Sequence, residues 1–336
     1  MKNTVYKRTF VVLLLILCLC ALAALSIGRL SMNPLDVYRV IRERLQYGAA
    51  SNEAMEVALF KIRLPRVVAA MMIGAMLSLS GAVYQGVFKN PLVSPDILGV
   101  ASGASVGAAG AILLGLGLLG RQVLAFCSGI AAVVLTTAIP RLLRNHSNLI
   151  LVLSGIIVSG FLSSLLAIMK FVAEEQTELA AIVFWQMGSF AEINMTEIIA
   201  ISPAFIAGTA ILISLSWRIN ILSFGEAEAK SLGMDIGKMR GIVIACASLL
   251  TASAVCISGT IGWIGLVIPH LARLLVGSDH VRMMPITVLA GALFMLIIDT
   301  IARALLTVEI PLSILTGLLG APCYAWLLYK QRTSVS

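Results

Sequence analysis

Ionisable side chains are scarce in the apolar stretches of this 336-residue chain, and the few found there mark where chemistry could sit. Asp299 is the clear acidic case, in the run Ile297-Ile298-Asp299-Thr300-Ile301. A carboxylate in hydrocarbon is costly unless paired, and it can serve as a coupling site for a proton or sodium ion. Arg303 stands four residues on, where both share one helix face. Structural pairing is therefore the stronger reading, and a coupling-ion site the alternative. The histidines (His146, His270, His280) lie far apart, and the cysteines at 18, 20, 127, 246, 256 and 323 sit in or beside apolar runs. With no CxxC pair and no zinc spacing, no metal site is expected. The chain also lacks a G-x-x-x-x-G-K-[ST] loop, an HExxH and a GxSxG, so neither ATP binding of that kind nor proteolysis is expected of it. Energy for any transport must come from elsewhere.

The elements that position these residues belong to lipid. Hydrophobic residues make up 60% and charged residues 12%, and mean hydropathy is +1.02. No globular interior of this size can hide so much apolar surface. A soluble enzyme, a nucleic-acid binder and a disordered chain are all excluded. The expected fold is an all-α polytopic membrane protein, with spans near 10–28, 67–86, 97–118, 122–143, 149–170, 196–217, 241–258, 264–276, 284–307 and 312–329. The first follows Lys2, Lys7 and Arg8 as in a signal peptide, but its apolar run outlasts the usual core of about 7–15 residues, so an uncleaved helix is expected.

Lys and Arg set the orientation. With the N-terminus inside, 14 of the 24 lie on the inner side and ten outside, seven of those ten in the single loop 29–66. Both termini are therefore expected in the cytoplasm, and the loop stands out as an exception. A repeat supports a transporter: Leu79-Ser80-Gly81-Ala82-Val83 with Pro91 recurs 178 residues on as Ile257-Ser258-Gly259-Thr260-Ile261 with Pro269. One copy is expected to close the second span and the other the seventh, facing opposite ways across the bilayer. Inverted repeats of this kind build many transporters. The chain is expected to form one transmembrane domain over 1–336, with repeat halves near 67–170 and 241–329. Gly99, Gly103 and Gly107 form a stripe for close helix packing on the third span.

The longest inner connection, 218–240, mixes charge with apolar residues. Glu226 and Lys230 are spaced for an i,i+4 pair, and Gly225 and Gly233 bracket a helix of about two turns. Such order suits a short helix presented to a partner.

Within that segment, Glu228-Ala229-x-x-x-Gly233 resembles the Glu-Ala cytoplasmic loop with which bacterial ABC importer permeases dock on their ATPases. Further stretches resemble one family in that class, the FecCD-type permeases for iron-siderophore, haem and cobalamin. They are Arg63-Leu64-Pro65-Arg66, Ser80-Gly81 through Gln85, Asn90-Pro91-Leu92, Pro95-Asp96-Ile97-Leu98-Gly99, Trp185-Gln186-Met187-Gly188-Ser189-Phe190, Gly262 through His270, Glu309-Ile310-Pro311 and Gly317 through Pro322. They span roughly 29–329 in order. The resemblance implies ten spans and a dimer with a second permease subunit, homo- or heterodimeric, around a central pathway. It implies two ABC ATPase subunits beneath, which bind ATP and magnesium, and a binding protein delivering the chelate from outside. The chain itself would be no enzyme and would hold no cofactor and no metal. Glu226, Glu228, Ala229, Lys230, Leu232 and Gly233 would couple to the ATPase. Arg63, Arg66 and Arg303 would meet acidic residues of the binding protein on the outer rim. The segment Trp185, Gln186, Met187, Gly188, Ser189 and Phe190 would lie at the outer mouth of the pathway. The cargo expected on this resemblance is a ferric siderophore, or a related iron chelate, haem or cobalamin, and the location a bacterial or archaeal cytoplasmic membrane. The alternative is a stand-alone secondary transporter that uses Asp299.

Overall fold

The computed structural model describes residues 2–28, 30–145 and 147–333, and all the regular structure among them is helical. The order is α1 (Lys2–Ser26), α2 (Pro34–Tyr47), α3 (Glu53–Val57), α4 (Leu64–Phe88), α5 (Val100–Leu113), α6 (Leu118–Leu142), α7 (Asn148–Val172), α8 (Ala180–Met187), α9 (Met195–Ser214), α10 (Ser216–Phe224), α11 (Glu226–Ser231), α12 (Ile236–Ser258), α13 (Ile264–Val276), α14 (His280–Ala304) and α15 (Leu312–Thr333). Seven helices among the described residues are long and apolar enough to cross a membrane: α1, α4 with the turns before it, α6, α7, α9, α12 and α14. The apolar stretches of α5, α13 and α15 are shorter. Together these occupy the ten positions that the hydropathy predicts.

The core is α4, buried along nearly its whole length. It packs antiparallel to α14: Arg66 meets Asp299, Gly74 faces Gly291, Ser78 Oγ donates to the Thr287 carbonyl at 3.0 Å, and Gly86 faces the His280 ring. A Cβ at Gly74 would run into the Gly291 carbonyl, so the two backbones approach as small residues allow in lipid. Buried polar groups on α4 find partners across helices, as a low-dielectric interior demands. Ser80 Oγ donates to the Ala247 carbonyl at 3.0 Å, and Tyr84 pairs with Ser248 at 2.6 Å. Gly103 and Gly107 pack against α6 at Ser128 and Leu124, as the stripe predicts, whereas Gly99 turns the chain at φ +80° against Ser159.

Three expectations change. First, the repeat copies end differently. Gly81 lies inside α4, which continues to Phe88 and closes at Lys89 with φ 51°, so that copy does not end its span. Gly259 does end α12, with φ 70°. Another segment bonds to the chain around it: the Ser189 N–H donates to the Ser258 carbonyl at 2.9 Å, and Thr260 Oγ1 donates to the Gln186 carbonyl. The two helices do run oppositely. The start of α4 meets Glu309, while the end of α12 reaches Leu312 through Gly188, whose carbonyl accepts the Leu312 N–H at 3.0 Å. Second, loop 29–66 contains α2, begun by a capping box between Asn33 and Asp36 with Pro34 in the first turn, and ended by Gly48 at φ +80°. Third, the span expected over 97–118 is only α5, because Pro95–Leu98 winds as a 3-10 turn before Gly99.

Candidate coupling and docking surfaces

Two ends of the bundle can be told apart by their contacts. At one, here the arginine end, the last turns of α1 and α14 meet the start of α4. At the other, the short-helix end, the last turn of α4 meets α7, α10 and the start of α14. Asn148 Nδ2 donates to the Val87 carbonyl at 3.1 Å, and the His280 ring pairs with Asn220 at 2.8 Å.

The three arginines expected on a docking rim are buried at the arginine end, with exposures of 4% for Arg63, 4% for Arg66 and 6% for Arg303. Arg66 donates through Nε and Nη2 to Asp299 Oδ1 at 2.9 and 2.8 Å, and through Nη1 to Glu309 at 2.7 Å. Arg303 Nε lies 3.3 Å from Asp299 Oδ2, the i,i+4 pair that the spacing predicts, and its other nitrogens donate to the carbonyls of Ile27 and Ala24. Arg63 donates to the carbonyls of Leu25, Ser26 and Leu30. Two guanidiniums thus neutralise the fully buried Asp299, and two satisfy orphan carbonyls at the end of α1. The donors of these arginines, expected on the docking rim, are used inside the chain. Sequence order concealed this because the partners of Arg66 lie more than 200 positions away. A cavity of about 340 Å³ lies beside this network, lined by Arg63, Arg66, Arg303 and Glu309.

Outward-facing charge at this end is acidic at Glu174, Glu175 and Glu192 and basic on α2 and the turn that leads into α4. Arg39, Arg42 and Lys61 are exposed, beside exposed Leu35, Tyr38 and Leu45. Arg44 is bound to Glu56, and the Ser51 N–H, 2.7 Å from Glu43, holds that carboxyl below its ordinary range.

The segment Trp185–Phe190 ends α8 and turns at Gly188 with φ 72°. Trp185 and Ser189 line a cavity of about 210 Å³ with Arg121, Glu192, Glu197 and Ser258. Gln186 and Gly188 are fixed by their carbonyl contacts to Thr260 and Leu312. Phe190 is fully buried in the main core. Sequence reading missed Glu197, buried at the cavity and capping α9 with Asn194; the Asn194-x-x-Glu197 capping pattern was the available signal.

At the short-helix end, α11 is bracketed by Gly225 and Gly233 as expected. Ala229 is fully buried against the core and pins the helix, while Glu228, Lys230 and Leu232 face outward. Gly233 takes φ +74° with no atom near its missing Cβ, so the turn, not crowding, demands glycine there. The side chain of Glu226 lies outside the described residues, and its pairing with Lys230 with it. Exposed Phe224 and Leu232, at 77% and 66%, add an apolar surface. The arrangement is a short helix held by one alanine with its other described side chains exposed. Among the described residues, no group of three or more His, Cys, Asp or Glu is placed to hold a metal ion.

Comparison with known proteins agrees with this architecture. The chain is 40% identical over 332 residues to the molybdate import system permease protein MolB of Haemophilus influenzae, covering 99% of this chain and 98% of that protein. It is 41% identical over 279 residues to a "Probable iron chelatin transport system permease protein" of Helicobacter pylori, covering 83% and 84%. A solved structure, described as an inward-facing conformation of a metal-chelate type ABC transporter, superposes with a TM-score of 0.87 at 40% identity over 96% of this chain and 99% of that one. The model of the FecCD transport family matches residues 13–330, and this multi-pass helical chain belongs to that family.

Proposed function

We propose that this permease subunit of an ABC importer carries a metal chelate inward across the cytoplasmic membrane, an iron chelate in the first instance. Separate ATPase subunits bind and hydrolyse ATP with magnesium, a second permease subunit completes the pathway, and a soluble binding protein delivers the cargo. Both termini and the short-helix end face the cytoplasm, in keeping with the inner excess of Lys and Arg.

The observation that carries the coupling role is the contrast within one short helix: Ala229 buried, with Glu228 and Leu232 outward and Gly233 in the left-handed turn. A push on the exposed face passes through Ala229 to the core that α4 and α12 share. In outline, ATP closes the paired ATPases, α11 is displaced, and the bundle exchanges its outward and inward openings. Docking of the binding protein falls to Arg39, Arg42 and Lys61, exposed cations that can steer a partner, with Arg39 also 3.9 Å from Asp36.

For the cargo, the Helicobacter pylori relative is named for iron chelatin and the Haemophilus influenzae relative for molybdate. The iron reading rests on the chelate carrying its own ligands, which suits a permease without a metal-ligand cluster among its described residues. Uptake of iron-55 siderophore and molybdenum-99 molybdate into proteoliposomes holding the full importer tests it. Iron uptake dependent on ATP is expected. Molybdate uptake alone would overturn the iron reading and leave the importer, and uptake of either without the ATPase would overturn the importer reading.

A further inference from the structure

The short-helix end holds a second feature, beside α10. A cavity of about 510 Å³ opens there between the last turn of α4, α10, α13 and the start of α14. Its polar wall includes Lys89, Gln85, His270, Arg273, His280 and Asp279. Most buried polar groups in this protein have partners; several here do not. His270 is 2% exposed and neither ring nitrogen has a hydrogen-bond partner, and Gln85 Oε1 and Arg273 Nη2 are likewise buried and unpartnered.

Such a cluster of orphans signals an occupant. The donors set its charge. Arg273, Lys89 and the ring of His270 offer N–H groups to one small volume. The one carboxylate on the wall is already engaged: Asp279 accepts from Asn220 Nδ2 at 2.6 Å and from the Val281 N–H at 3.1 Å, and lies 3.6 Å from Arg282. His280 is tied to Asn220 through Nδ1. The orphan acceptor Gln85 Oε1 asks for a hydroxyl, since its own amide nitrogen already donates to the carbonyls of Val93 and Gly265 at 3.3 and 3.1 Å.

We infer that this cavity is a binding site for a hydroxyl-bearing phosphate-class oxyanion, held by Lys89, Arg273 and His270 with Gln85 accepting from its hydroxyl. Two sources share this chemistry: free hydrogenphosphate, and the phosphoglycerol headgroup of an anionic lipid. Because Asn220, Ser223 and Phe224 of α10 form the facing wall, an occupant also braces the element that leads into α11.

Native mass spectrometry and equilibrium titration on the detergent-purified importer complex distinguish the outcomes, using inorganic phosphate in one arm and phosphatidylglycerol in the other, with phosphatidylcholine as control. Binding of either anion is expected, weakened about tenfold or more in Lys89→Gln and in Arg273→Gln, since each removes a charge-assisted hydrogen bond. Lys89 is exposed, so its variant keeps the test valid if Arg273→Gln fails to fold. Phosphate binding alone assigns a free-anion site, and phosphatidylglycerol binding alone a lipid site. Absence of both, affinity unchanged in Lys89→Gln, or binding seen only after the ATPase is stripped away would overturn the inference, the last by making the cavity a protein–protein seat.

Discussion

The two ends of the bundle handle charge in opposite ways. At the arginine end, Arg66, Arg303 and Asp299 form a buried network joined by half-buried Glu309, and Arg63 closes the end of α1. At the short-helix end, Glu228, Lys230 and Leu232 are exposed, and the neighbouring cavity has buried donors without acceptors. Both ends carry arginines, glutamates and glycines, so residue type does not separate them; satisfaction does. Charge paired inside the chain holds helices in place, and charge or apolar surface left open waits for another molecule.

The strongest test of that contrast is Asp299→Ala. It leaves Arg303 buried without a carboxylate and Arg66 with Glu309 alone, and breaking a buried ion pair from one side costs about 3–5 kcal/mol. Thermal unfolding of the purified protein should show a large loss of stability, with Arg66→Gln milder because Arg303 still pairs with Asp299. An unchanged melting temperature for Asp299→Ala would mean that the network is not holding α4 to α14.

A matched pair of glycines sharpens the comparison. Gly48 and Gly233 both end short helices in the left-handed region, at φ +80° and +74°, with open space where a Cβ would go. Gly48→Ala and Gly233→Ala should therefore destabilise alike, by about 1–2 kcal/mol. Only Gly233→Ala should lower cargo moved per ATP hydrolysed, because only that turn shapes the coupling helix. Equal losses of coupling in both variants would assign the effect to general instability.

Much of this contrast was legible beforehand, and the part that was not has a physical cause. Spans follow from hydropathy because lipid leaves no other solution for the backbone. Gly225, Ala229 and Gly233 are readable because a short helix and its ends are local. The network at Arg66 is not local: the sequence shows an excess of arginines in 29–66 and an isolated Asp299, yet nothing short-range says that they meet. Helix α2 was readable and missed, since Asn33-Pro34-x-Asp36 is a start signal and Gly48 a stop. The length of α5 was not, because Pro95 and Asp96 bend an otherwise continuous apolar run.

Smaller in stability, but direct for the interface, are Leu232→Ala and Phe224→Ala. Exposed side chains cost within about 0.5 kcal/mol when shortened, so melting should hold while co-purification of the ATPase falls. Leu45→Ala is the control, equally exposed on α2. Loss of the ATPase in Leu45→Ala as well would erase the distinction between the two ends as docking surfaces for different partners.

The smallest effect falls on the exposed cations of the arginine end. Single exposed charge pairs are worth about 0.2–1 kcal/mol, so Arg39→Glu, Arg42→Glu and Lys61→Glu combined should leave folding intact and slow association with the binding protein, most at low salt. Arg63→Glu instead places a carboxylate among the carbonyls of Leu25, Ser26 and Leu30, and should act through stability. The two variants separate steering from structure: a slower on-rate with normal melting marks a docking charge, and lost melting marks a structural one. Should the triple variant associate at the wild-type rate in low salt, the outward charges of α2 would have no part in docking, and delivery would have to rely on the apolar residues beside them, Leu35, Tyr38 and Leu45.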